Sequence, residues 1–247
     1  MKILATYNIK GGVGKTATAV NLSYLAAQDG LRVLLWDLDP QAAASYLFRI
    51  RPRVKGGGKA LIKGSREIDD SIKGTDFADL DLLPADFTYR NLDLVLGATK
   101  KPTRRIARLL APLSGEYDVI FLDCPPGISL LSESVLQAAD SLLIPLIPTV
   151  LSLRTLDQLT DFISSFDGQR PQVLAFFSMI DRRKTLHREI AERLPTERDD
   201  VAAAAIPSLS QIERMSVERA PVAAFAPNSR AAQAYQALWA EVRSRML

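Results

Sequence analysis

Seven residues near the start of the chain, Lys10-Gly11-Gly12-Val13-Gly14-Lys15-Thr16, restrict the fold more than any other stretch. An apolar run, Ile3-Leu4-Ala5-Thr6-Tyr7, precedes them, and a helical pattern over residues 19–27 follows. Strand, glycine loop and helix in that order is the setting of a phosphate-binding loop. Glycines let successive backbone N–H groups turn inward as a concave anion nest. The helix that follows points the positive end of its dipole at the same place. In such a loop Lys15 reaches the outer phosphates, and the Thr16 hydroxyl is a ligand for magnesium. The loop departs from the common pattern in two ways. Ile9 stands where that pattern has its first glycine, and a second lysine, Lys10, opens the loop. Lys10 lies too close to the turn to sit easily on the loop's own phosphates, so its natural reach is toward a nucleotide held by a second copy of the chain.

The pattern after the loop predicts an α/β fold: one doubly wound, mostly parallel sheet with helices on both faces. A helix over 15–29 closes at Asp29-Gly30, and Arg32-Val33-Leu34-Leu35-Trp36 reads as a buried strand. Strand, helix and strand within about 35 residues form a βαβ unit, which implies parallel pairing. Further strands are expected over 80–83, 117–123, 142–148, 172–179 and 201–206. Helices are expected over 41–48 (with Pro40 in the first turn), 89–96, 103–113, 153–166, 185–194 and 229–246. There is no internal repeat, and the whole of 1–247 reads as a single domain.

Residues 49–66 stand apart. Arg49, Arg51, Arg53, Lys55, Lys59, Lys63 and Arg66 bring seven positive charges and no acid, around Gly56-Gly57-Gly58. This segment is expected to be a flexible loop or loose hairpin inserted in the domain, either a solvated surface or a contact for a phosphate backbone or acidic partner. Over the whole chain 31 basic residues face 28 acidic ones, so any basic surface must arise from local clustering. The single cysteine, Cys124, excludes an internal disulfide and fits a reducing cytoplasm. No signal peptide is expected before the first strand. The apolar stretch over 142–153 is too short and too broken by Pro145 and Pro148 to span a membrane.

In a parallel sheet every strand ends on one edge, and ligands bind there. Lys15, Thr16, Asp39 and Asp123 therefore converge although far apart in sequence. Asp123 ends the strongest strand signal and is expected to hold the magnesium shell. The Cys124-Pro125-Pro126-Gly127 turn after it is stiff and placed to sense the outer phosphate. Asp37 and Asp39 share a side of extended backbone: one ligates or shapes the magnesium site and the other orients the attacking water, a role assigned to Asp39 because it opens the turn toward the phosphates. Asp39 is also read as the N-cap of the helix starting at Pro40.

Three segments, Lys10 to Thr16, Asp37-Leu38-Asp39-Pro40-Gln41 and Phe121-Leu122-Asp123-Cys124-Pro125-Pro126, resemble the deviant Walker motifs of the ParA/MinD group of P-loop NTPases. Ser178-Met179-Ile180-Asp181-Arg182-Arg183 and residues 226–235 are similar to segments of ParA-type partition ATPases. The resemblance covers nearly the whole chain and is poorest over 49–75. It implies an ATPase, slow and stimulated by a partner, that forms an ATP-dependent sandwich dimer with ATP and Mg²⁺ as cofactors. Lys10 would cross to the partner's phosphates. Lys10, Gly11, Gly12, Val13, Gly14, Lys15, Thr16 and Ala17 would form the phosphate cradle, with Met179, Pro207 and Leu209 around the base. Lys10, Lys15 and Asp39 would be catalytic, and Thr16, Asp39 and Asp123 would serve the metal. The resemblance further implies non-specific binding of double-stranded DNA by the dimer, through Arg182, Arg183, Lys184, Arg214, Arg219 and Arg230. A ParB-like or cargo-adaptor protein would stimulate hydrolysis, and the place of action would be the nucleoid in a bacterial cytoplasm. Of other functions built on such a loop, a MinD-like membrane switch needs an amphipathic tail. A metal-cluster carrier needs paired cysteines. A non-catalytic scaffold would have no use for Lys10 and Asp39 together.

Overall fold

The computed structural model describes residues 1–166 and 170–247. Its strands are β1 (Lys2–Thr6), β2 (Val33–Asp37), β3 (Lys73–Gly74), β4 (Leu80–Leu83), β5 (Val119–Asp123), β6 (Ser141–Leu146) and β7 (Gln172–Phe177). The helices are α1 (Lys15–Gln28), α2 (Ala43–Leu47), α3 (Gly57–Lys63), α4 (Leu92–Gly97), α5 (Arg105–Leu110), α6 (Leu130–Ala138), α7 (Val150–Ser164), α8 (Thr185–Glu197), α9 (Ser210–Glu213), α10 (Met215–Glu218), α11 (Val222–Phe225) and α12 (Arg230–Met246). The strands form one sheet in the order β3-β4-β2-β5-β1-β6-β7, with β3 antiparallel and the rest parallel.

The inner strands are apolar on both faces, as helix-covered parallel sheets require. Alternate residues feed two separate cores. Ile3, Ala5, Leu34, Trp36, Ile120 and Leu122 pack with α3 to α8. Leu4, Val33, Leu35, Val119 and Phe121 pack with α1, α2 and α10 to α12. The same period of two decides where the strand-end residues go. Thr6, Asp123 and Asp37 fall on the α1 face, and the register sets them side by side: Thr6 opposite Asp123, and Asp37 opposite Asp123.

Four expectations are corrected. Residues 49–66 are not a loose hairpin, because residues 57–63 form α3. Leu61 and Ile62 are buried under it, the Val54 N–H donates to Asp86 (2.9 Å), and the Gly58 N–H donates to the Thr88 hydroxyl (2.8 Å). Its glycines serve close approach: a Cβ at Gly58 would sit 2.8 Å from carbons of both Leu92 and Tyr89. Pro40 does not open a helix. Asp39 to Ala42 is a turn closed by Ala42 N–H to Asp39 C=O (2.9 Å), and α2 begins only at Ala43. Asp39 is therefore no helix cap. Residues 201–206 do not form a strand: Val201 makes an isolated bridge to Ala175 of β7, and the N–H groups of Ala202 and Ile206 donate to the Ala175 and Phe177 carbonyls (2.7 and 2.8 Å). The ladder breaks there because the N–H groups of Ala203 and Ala204 donate to the Glu241 carboxylate on α12 (3.1 and 2.9 Å). Finally, the pattern missed α6, whose start carries a Ser129/Ser132 capping box. Among the described residues no helix is long and apolar enough to cross a membrane.

Candidate active site

The cleft forms at the carboxyl ends of the parallel strands, where α1 begins. Asn8, which the sequence reading passed over, fixes how the chain leaves β1. Its amide donates to the Pro145 carbonyl (2.8 Å), and its Oδ1 accepts the Lys10 N–H (2.9 Å). Gly12 and Gly14 take positive φ (69° and 95°), backbone that other residues rarely adopt. A Cβ at Gly14 would also lie 2.9 Å from the Ser178 hydroxyl. The turn after Asp123 is tied to the same loop, with Gly127 N–H donating to the Ile9 carbonyl (3.0 Å) and the Tyr7 hydroxyl to the Gly127 carbonyl (2.9 Å).

The cleft so bounded has a volume of about 390 Å³. Gly11, Gly12, Gly14, Lys15, Thr16, Ala17 and Asp39 line its phosphate end, while Met179, Pro207, Leu209 and Tyr235 line the other. Most of the residues expected around a nucleotide thus meet in one place. Val13 does not line the cleft, because its side chain is buried. Lys10 does not line it either. Its carbonyl accepts the Lys15 ammonium (3.0 Å), and among the described residues the Lys10 ammonium has no hydrogen bond or ion pair. Met179 sits in the left-handed region (φ 56°) between β7 and the returning segment, where Ile180 N–H donates to Ile206 C=O (3.1 Å) and Ser208 N–H to Ile180 C=O (2.9 Å).

Beneath the cleft two carboxylates are withdrawn from water. Asp37 accepts from the Ser45 N–H and hydroxyl (2.8 and 2.7 Å). Burial still pushes its pKa up to about 6, against those bonds. Asp123 is wholly buried. Burial first, and Asp37 second, push its pKa well above the usual carboxylate range. Burial also lowers the Lys15 pKa, with Asp123 opposing. Next in the chain, the Cys124 thiol is 1% exposed, makes only a 3.7 Å contact with the Leu122 carbonyl, and is pushed well up by burial. One Asp123 oxygen, Oδ2, is buried without a hydrogen-bond partner among the described residues. A buried acceptor left unpaired is costly and calls for a cation. Asp123 with the Thr16 hydroxyl suits magnesium, which takes few protein ligands and keeps waters and substrate phosphates as the rest. Asp39 lines the cleft, with its Oδ1 accepting the Gln41 N–H (2.9 Å).

The basic residues expected to meet DNA come from separate segments of the chain. Arg182, Arg183 and Lys184 leave the end of β7 and are exposed, with Arg183 paired to Asp181 (2.9 Å). Arg214 pairs with Glu218 (2.5 Å), and Arg230 opens α12. Arg219 stacks on Tyr46, 4.5 Å from its ring centre.

Residues 1–176 match the family described as an AAA domain. The chain is 33% identical to the sporulation initiation inhibitor protein Soj of Bacillus subtilis, over 98% of each chain. It is 32% identical to the chromosome partitioning protein ParA of Caulobacter vibrioides, over 99% of this chain and 95% of that one. Among solved structures, cobyrinic acid a,c-diamide synthase of Mycobacterium smegmatis with a bound ATP analogue and magnesium is similar at 27% identity and a TM-score of 0.76, over 89% of this chain and 91% of that chain.

Proposed function

This chain belongs to the ParA/MinD family, and from that premise we propose that it is a positioning ATPase whose ATP-bound dimer holds DNA and whose hydrolysis releases it. The observation that carries the ATPase reading is the partnerless Asp123 oxygen buried under the loop that bears Lys15 and Thr16. ATP would lie with its phosphates on the Gly11–Thr16 backbone and its base between Met179, Pro207 and Leu209. Magnesium, held by Thr16 and Asp123, would neutralise phosphate charge. The Lys15 ammonium would exchange the Lys10 carbonyl for phosphate oxygens. That exchange frees the strand-to-helix turn around Lys10, whose own ammonium is unengaged and available to a second copy's nucleotide. Asp39 would orient the attacking water through Oδ2 while Gln41 holds Oδ1. Turnover is expected to be slow without a partner, since a switch must persist between states.

For the closed dimer, exposed arginines at 182 and 183 with Lys184, and Arg214, Arg219 and Arg230, would contact phosphates. Such contacts need charge and reach more than fixed geometry. The test is binding to random-sequence duplex DNA with no nucleotide, ADP and ATP over a salt series. Strong, salt-sensitive binding with ATP alone is expected. Lys10→Ala is expected to abolish it, and Asp39→Ala to prolong it while turnover falls at least about 100-fold. A chain that hydrolyses ATP and dimerises but ignores DNA would sink the nucleoid part of the reading.

A further inference from the structure

The charges of this chain are unevenly placed. Of its 31 basic and 28 acidic residues, residues 55–66 and 87–110 hold ten and one, which leaves 21 against 27 elsewhere. The two stretches meet in space. The Gly58 N–H donates to the Thr88 hydroxyl (2.8 Å), and a Cβ at Gly58 would press on Leu92 and Tyr89, so α3 lies against the start of α4. Arg105 of α5 turns inward and donates to the Ile62 carbonyl near the end of α3. α3, α4 and α5 thus form one layer over the core that holds Leu61, Leu92, Leu96, Ile106 and Leu110. The inner side of the layer is apolar and the outer side basic. Lys59 and Lys63 on α3 and Arg104 and Arg108 at α5 are exposed, and the nine exposed cations of the layer make no ion pair among the described residues. The one acid, Asp93, accepts the Leu131 N–H (2.8 Å), and the acids next in the chain, Glu67, Asp69 and Asp70, lead away from α3 to β3.

Two large apolar side chains stand among these cations. Phe87 is 66% exposed and Leu94 77%. They lie seven residues apart, on the outer side of a helical run whose Tyr89, Leu92 and Leu96 are buried. Arg90, between them, sets its guanidinium 4.3 Å from the centre of the Phe87 ring.

We propose that the outer side of the α3–α4–α5 layer docks on an anionic lipid bilayer. Phe87 and Leu94 enter the boundary between headgroups and acyl chains, and the lysines and arginines around them meet lipid phosphates. A bilayer uses both features of the surface at once. The apolar side chains gain by leaving water, and each cation near the surface adds attraction to acidic headgroups. Lysine and arginine stems can lie along the inserted side chains and keep their charges at headgroup level. A nucleic-acid duplex accounts for the cations alone, since it would set phosphates where Phe87 and Leu94 protrude. None of the layer's residues lines the nucleotide cleft, and Arg219 and Arg230 belong to segments packed on the other face of the sheet. Docking therefore does not depend on the ATPase reading.

The test floats the full chain with vesicles of phosphatidylcholine, with and without phosphatidylglycerol, in the absence of nucleotide and over a salt series. Flotation with the anionic vesicles alone is expected, weakening as salt rises. Lys59→Glu with Lys63→Glu is expected to lower vesicle affinity at least about tenfold. Phe87→Ser with Leu94→Ser keeps every charge and is expected to lower it about tenfold. Thermal melting of both double variants should match the parent, because all four side chains are exposed. Phe87→Trp should shift its emission to the blue on anionic vesicles, which reads insertion directly. A parent that ignores anionic vesicles overturns the proposal. So does equal binding by Phe87→Ser with Leu94→Ser, which reduces the contact to charge alone. Lys59→Glu with Lys63→Glu that loses affinity for random duplex DNA while vesicle binding stays unchanged also overturns it and makes the layer a nucleic-acid contact. Each of these outcomes leaves ATP binding and turnover to be judged separately.

Discussion

At the amino-terminal edge of the sheet, Asp118 accepts the Arg32 N–H, Nε and Nη2 at 2.9, 3.1 and 2.7 Å, and Asp140 accepts the Ile3 N–H at 2.8 Å. At the carboxyl-terminal edge of the same strands, Asp37 and Asp123 stand side by side with no arginine, and one Asp123 oxygen has no partner. Arg32 holds the Asp118 carboxyl down at about 2, whereas burial pushes Asp37 up to about 6 and Asp123 well above the usual carboxylate range. One chain thus treats the same residue type in two opposite ways across five-residue strands. Paired carboxylates lock strand starts in register. Those at the other edge are buried without an arginine, a cost that magnesium and nucleotide would relieve under the proposed function. Under the proposed function, stability and binding would fall to opposite edges of the sheet.

Removing the unpaired charge is the sharpest way to separate the edges. Asp123→Asn is expected to cut ATP turnover by at least about 100-fold and yet raise the stability of the nucleotide-free chain by about 1–3 kcal/mol, because a buried carboxylate with one oxygen left unpartnered is replaced by a neutral isostere. Urea unfolding beside a turnover assay reads both, and a loss of stability would show that Asp123 is already compensated. Gly14→Ala acts on the backbone of that edge. Positive φ and the Ser178 hydroxyl at 2.9 Å from the new Cβ predict a loss of about 1–3 kcal/mol, with weaker stabilisation by Mg-ATP. Thermal melts with and without nucleotide measure it. Arg32→Ala tests the opposite edge and has the smallest effect, the pair being exposed and screened. Asp118 is lowered from 3.8 to about 2, so its contribution is complete above pH about 4 and fades as pH falls through about 2. The variant should unfold at a higher pH on acid titration, with turnover at neutral pH unchanged.

The parallel sheet, the loop and the row of strand-end acids were legible because each rests on local chemistry: uninterrupted apolar runs, glycines at fixed spacing and aspartates before turns. Segment 49–66 was misread because its charges mask the apolar side chains at Val54, Leu61 and Ile62, whose burial depends on distant partners such as Asp86 and Thr88. Pro40 is compatible with either a turn or a helix start, and the Asp39 to Ala42 turn prevailed because Asp37 holds Ser45 and so fixes where α2 begins. Residues 201–206 had strand composition, but Glu241, some 37 positions on, claimed their N–H groups. Asn8 carried a faint signal: a polar residue directly after a buried strand, where a loop must be fastened. The arginines expected to meet DNA gave no signal of their partners, since Tyr46 under Arg219 lies 173 residues away.

Cys124 gives the carboxyl-terminal edge its own clock. It is the single thiol of the chain, it follows Asp123 directly, and its side chain is sealed from solvent. Only the thiolate reacts with a disulfide reagent, and burial suppresses that form. Labelling must therefore wait for the edge to open, and its rate measures the free energy of that local opening rather than of global unfolding. Magnesium and ATP should slow the clock by the amount of strain they relieve, and the reading needs no substitution in the chain.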